Sequence, residues 1–165
     1  MGKKIISLGL NTKDINRAIK EVEKYKQELL RKEKLFLEKL SYLGVKEASV
    51  RFTTAMYDGV NDSSVSLEQT ASGYSIVASG TAVAFIEFGT GVYHNPGEPY
   101  PLPRPEGVVG IGEYGKGFGK RRAWGYKDES GELVITRGNP AVMPMWYATE
   151  EMRRSILQIA REVFG

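Results

Sequence analysis

Residues 12–43, TKDINRAIKEVEKYKQELLRKEKLFLEKLSYL, decide the architecture. Ile15, Val22, Leu29, Phe36 and Leu43 recur every seven residues, and Ile19, Leu30, Leu37 and Leu40 widen them into an apolar stripe. No proline or glycine interrupts the run. Asn11 or Thr12 is placed to cap it, and Asp14 falls in the first turn, where a carboxylate suits the helix dipole. Glu21, Glu23, Glu28, Glu33 and Glu38 alternate with lysines and arginines on the remaining faces, a spacing that supports i,i+4 pairs. The pattern predicts one helix over 12–43, on the order of 45 Å long, ended by Gly44. A compact chain of this size has a radius of gyration of about 15 Å, so the helix must span the domain or protrude from it. The stripe suits a coiled coil or partner helix, and its C-terminal half is expected instead to pack against the domain's own sheet. Its N-terminal half is free to meet a neighbour.

Working outward, residues 45–57 fit a short helix better than a strand, and DGVND at 58–62 is a turn cluster. Two strands follow, Val65–Gln69 and Tyr74–Ser79, with a turn at Thr70–Gly73. AVAFIEFGTG is a short apolar segment stopped by Gly89 and Gly91. Five prolines and then a series of glycines between Val92 and Ala123 read as one extended, flexible loop over 92–123. A second hairpin, Trp124–Lys127 with Leu133–Thr136, turns around Asp128–Gly131. Pro140 and Pro144 introduce a final helix to about Phe164, with a stripe at Met145, Ala148, Met152, Ile156, Ile159 and Val163. Glu150 and Glu151 are assigned to its first turn, where they would offset the dipole. The expected fold class is α+β: a small, mainly antiparallel sheet packed by a long N-terminal helix and a C-terminal helix, with a long Pro/Gly-rich loop, in one domain over 1–165.

Composition excludes more than it selects. The 165 residues contain no cysteine, which rules out disulfides and thiolate metal sites. No apolar run approaches the ~20 residues of a membrane span, and the N-terminal apolar stretch is too short for a secretory signal. The chain is therefore expected in the cytoplasm when made. Net charge is +3, mild for a protein that grips nucleic acid.

GVVGIGEYGKG at 107–117 satisfies G-x-G-x-x-G and nearly satisfies G-x-x-x-x-G-K. A dinucleotide site needs a strand before those glycines and a helix opening at them, and neither is present in PRPEGVV or GFGKRRAWGY. A phosphate loop needs Ser or Thr after the lysine, and position 117 is glycine. His94 is the only histidine and has no ligand spacing around it. DGVNDSS lacks the alternating ligands of a calcium loop. No catalytic, cofactor-binding or metal site is therefore assigned, and the chain is expected not to be an enzyme. The basic cluster Lys116, Lys120, Arg121 and Arg122, with Phe118 and Trp124 interleaved, has the composition of a phosphate-gripping, base-stacking loop. It keeps open the alternative of a nucleic-acid-binding accessory protein using residues 116–127.

One combination is more specific. AFIEFGTGV at 84–92 is followed, after a long insert, by WGYKDESGELVITRGNPAVMPMWYATEEM at 124–152. The block Glu87, Phe88, Gly89, Thr90 and the G-x-P-x3-P-x3-A block Gly138, Pro140, Pro144, Ala148 resemble those of the siphophage tail-completion family, gene-product-ten-like minor tail or head–tail joining proteins. The long charged first helix and the two strands before the first block fit as well, so the resemblance covers most of the chain from about residue 12. Many members have Pro-Phe where this chain has Pro144-Met145, a change that keeps an apolar knob. The resemblance implies a non-enzymatic virion protein, present in the host cytoplasm before assembly. It implies a homo-oligomeric ring, six subunits in number, at the head–tail interface. Implied partners are the tail tube or tail terminator, the head connector, and DNA passing without sequence specificity. Candidate interface residues are Glu87, Phe88, Gly89, Thr90, Phe118, Lys120, Arg121, Arg122 and Trp124.

Overall fold

In the computed structural model the described residues are 9, 11–55, 57, 59–89, 123–128 and 130–165, with the side chains of Trp124 and Tyr126 excepted. The first element is a single helix, α1, Thr12–Thr53. Asn11 caps it: its Oδ1 accepts from the Asp14 amide at 2.9 Å, and its Nδ2 donates to the Asp14 carboxylate at 2.8 Å. The far end is closed by side chains that reach back. The Thr53 and Thr54 hydroxyls donate to the Ser49 and Val50 carbonyls, and Asn61 Nδ2 donates to the Phe52 carbonyl at 2.8 Å.

Gly44 does not end this helix, contrary to the reading of its sequence. The helix runs through it, so the helical segment expected separately after residue 45 is the last third of α1. The reason is packing. Gly44 is buried, and a Cβ at that position would lie 2.4 Å from Ile76 Cδ1 and 2.5 Å from Met152 Sδ. The missing side chain is what lets a strand and a second helix close onto α1. That gain outweighs the roughly 1 kcal/mol helix penalty of glycine.

The strands are antiparallel and form two separate two-stranded hairpins. In the first, β1 (Ser64–Thr70) and β2 (Gly73–Ser79), Val65 pairs with Ala78 and Leu67 with Ile76. These half-buried residues alternate with exposed serines along β1, the period expected of a ribbon with one covered face. Both strands lie on α1. In the second, β3 (Trp124–Lys127) and β4 (Leu133–Thr136), Trp124 pairs with Thr136 and Lys127 with Leu133. Asp128 organises the turn, its Oδ1 accepting from the Ser130 amide and hydroxyl and from the Glu132 amide.

Between the hairpins lies a short helix, α2 (Val83–Phe88), and the chain ends in α3 (Pro144–Phe164) with proline in its first turn. α3 runs antiparallel to α1. Phe36 meets Phe164 with ring centroids 6.0 Å apart, Lys39 pairs with Glu162 at 3.2 Å, and the Arg51 guanidinium lies 4.4 Å from the centre of the Tyr147 ring. The core sits at the C-terminal end of α1, where Ala48, Phe52, Ala82, Ile86 and Ala148 pack together. The three alanines allow α1, α2 and α3 to approach closely around Phe52 and Ile86. Full burial of those two side chains contributes about 1.5–3 kcal/mol each.

Candidate assembly surface

The two sequence blocks that carry the family resemblance meet in the core. Glu87, on α2, is buried, and its carboxylate accepts from the Met145 amide at 2.9 Å and the Trp146 amide at 3.1 Å. These are free amides of the first turn of α3. The negative charge faces the positive end of that helix dipole. The Val142 amide also donates to the Ile86 carbonyl at 2.9 Å, so backbone and side chain tie α2 to the approach of α3. Glu150 and Glu151, assigned to the first turn from sequence, lie in the second turn and pair with Arg153 and Arg154. The carboxylate that compensates the dipole comes instead from fifty-eight positions upstream of Met145.

The other end of α2 is clasped the same way. Asp62 accepts from the Thr81 amide at 2.7 Å, the Ala82 amide at 2.9 Å and the Thr81 hydroxyl at 2.9 Å. The Thr81 amide, then the Ala82 amide and the Thr81 hydroxyl, hold this carboxyl below the ordinary aspartate value. Its neighbour Asn61 holds the end of α1. One short link therefore fastens α1 to α2, and α2 in turn fastens α3. Gly89 closes α2 with φ 67° and ψ 170°, a backbone region open essentially only to glycine. Gly89 is buried and Phe88 half-buried.

Of the candidate interface set, Glu87, Phe88 and Gly89 thus form one joint inside the subunit. Trp124 opens β3 opposite Thr136. Thr90, Phe118, Lys120, Arg121 and Arg122 lie outside the described residues, as do the 92–122 part of the expected loop and His94.

α1 is twice as long as the helix it packs against, 42 residues to 21. α3 ends at the level of Phe36, and the tip of the first hairpin reaches only the Leu30–Leu37 stretch of α1, where an open groove of about 220 Å³ separates them. Residues 12–29 extend past every other described element that α1 contacts, by about 27 Å at 1.5 Å per residue. The stripe continues along this extension. Ile15, Ile19, Val22, Leu29 and Leu30 are between 37% and 53% exposed. The apolar stripe, interrupted by Lys26 and Glu33, is therefore covered toward its C-terminal end, while at the N-terminal end Ala18 is buried and Ile15, Ile19 and Val22 are exposed.

A second open groove of about 300 Å³ lies between α1, β2 and α3, lined by Ser41, Tyr74, Ile76, Met145, Thr149 and Met152 among others. It holds no acid–base pair. Among the described residues no three histidine or carboxylate groups are placed to hold a metal ion, and no helix is long and apolar enough to cross a membrane. The chain matches no protein-family model, no curated protein and no solved structure.

Proposed function

We propose that this chain is a structural subunit of a phage virion, a tail-completion or head–tail joining protein without enzymatic activity. It assembles with copies of itself into a ring, six by family resemblance, against the tail tube or tail terminator and the head connector. DNA passes without being read. The observation that carries this reading is the joint between Glu87 and the first turn of α3. Glu87 of the EFGT block and the amides that follow Pro144 of the G-x-P-x3-P block are joined although 47 residues separate the two blocks in the chain, which is a physical reason for them to occur together.

The open half of α1 supports the same reading. Its exposed apolar side chains, Ile15, Ile19, Val22, Leu29 and Leu30, are of the kind that mark protein contact. A head-to-tail ring needs each subunit to present one surface to a different surface of the next. Deleting the gene in the phage that encodes it, then imaging the lysate, tests the proposal. Full heads and separate tails are the expected outcome. Normally joined particles would overturn it.

A further inference from the structure

The open half of α1 has a second face. Lys13, Arg17, Lys20, Lys24, Gln27 and Arg31 follow one another at steps of four, three, four, three and four, which places them on a single line along the helix. That line stands opposite the Ile15, Ile19, Val22, Leu29 stripe. All five basic residues are exposed. Arg17 is held by Asp14 at 3.0 Å, and Lys13, Lys20, Lys24 and Arg31 have no carboxylate within ion-pair distance among the described residues. Residues 12–32 carry seven basic against four acidic side chains, an excess of three that equals the net charge of the whole chain.

We infer that this ridge is a duplex-DNA contact, binding the phosphate backbone without reading bases. It rests on the assembly reading only for why DNA is the polyanion at hand. The ridge from Lys13 to Arg31 is about 27 Å long, matching about eight base pairs at 3.4 Å per step. Lysine and arginine on a line bind such a backbone through counterion release, with no demand on sequence. The two faces divide the work: the stripe seats the helix on protein, and the ridge faces away from that contact.

A membrane surface fits the helix less well. An interfacial helix places its apolar face in the lipid and needs basic residues at the boundary of that face, within reach of anionic headgroups. Here Asp14, Glu21 and Glu23 stand at the boundaries, while the basic line points away from where the lipid would be. Lys26 and Glu33 interrupt the stripe itself.

The test is binding of the full-length protein to a labelled 30-base-pair duplex of arbitrary sequence, followed by anisotropy over a salt series. Four free basic groups predict a slope of log affinity against log salt of about −3.6, a loss of about a hundredfold between 50 and 200 mM salt. Lys20→Gln with Lys24→Gln halves that slope and leaves the far-ultraviolet circular dichroism unchanged, because both side chains are exposed and glutamine is a good helix former. The inference is overturned by no binding at 20 mM salt, by an unchanged slope in the ridge variant, or by tighter binding to phosphatidylserine-containing vesicles than to the duplex. Failure here leaves the head–tail reading to the lysate images, and joined particles in the deletion leave the duplex measurement standing.

Discussion

Removing the Glu87 carboxylate is the sharpest test of the joint between the two sequence blocks. Glu87→Ala leaves the Met145 and Trp146 amides without their acceptor, at a residue only 4% exposed. An orphaned buried amide costs about 1–3 kcal/mol. These two amides are only partly buried, so water reaches them in the variant and the lower part of that range applies to each. The loss of a full charge from the helix N-terminus adds to this, because such a charge contributes up to about 2 kcal/mol in a partly buried site. Together the change destabilises the chain by about 3–4 kcal/mol. At about 2–4 °C per kcal/mol for a chain of this size, the melting temperature falls by roughly 10 °C. Glu87→Gln separates the two contributions. It keeps one acceptor oxygen, turns a donor toward the second amide, and removes the charge, so its cost is intermediate. Urea unfolding at pH 7, followed by circular dichroism, gives both numbers. A Glu87→Ala variant within about 0.5 kcal/mol of wild type would refute the claim that this carboxylate holds α3, and with it the argument that links the two blocks.

Two further expectations concern stability. Gly44→Val meets Ile76 Cδ1 and Met152 Sδ at distances that force both aside, and over-packing of about 1–3 kcal/mol exceeds the helix propensity regained, so the urea midpoint falls. A raised midpoint would mean that α1, β2 and α3 do not close at this point. Asp62, Asp128 and Glu162 all have folded values held below the ordinary carboxylate range, by the Thr81 amide, the Ser130 hydroxyl and the Lys39 ammonium first in each case. Their stabilisation is therefore complete above the unfolded values near pH 4 and is lost as pH falls through the lower folded values. The urea midpoint should hold steady from pH 7 to 5 and decline below about pH 4, less steeply in Asp62→Ala. A midpoint that rises on acidification would contradict the assignment.

What could be read from the sequence was what is local. The hairpin 124–136 is legible to the residue because Asp128–Gly131 encodes its own turn, through a side chain that bonds backbone two and four positions on. The Asn11 cap is legible for the same reason. Gly44 was misread because a glycine after an apolar helical run has two physical meanings, a left-handed exit or a close approach. Only Ile76 and Met152, 32 and 108 positions away, decide between them. The role of Glu87 depends on α3 amides that no periodicity connects to it. The sequence assigns Glu87 to a subunit interface, whereas its carboxylate accepts from amides of its own chain. The charged side chains of α1 read as an alternating, solvated surface until the helix is drawn as a cylinder. Then Asp14, Glu21 and Glu23 fall at the margins of the stripe, and Lys13, Arg17, Lys20, Lys24 and Arg31 fall on one line behind it.

The extension of α1 has a mechanical consequence. A rod held along one half and free along the other is a lever whose fulcrum is the packing around Gly44. No proline or glycine between residues 12 and 43 gives it a hinge of its own. A tilt of ~10° at the fulcrum sweeps the tip, about 48 Å away, through about 8 Å, roughly one and a half helical turns. Whatever grips the tip of α1 thereby pulls on the contact of Gly44 with Ile76 and Met152, so a docking event at the far end of the helix is felt as strain beside the core.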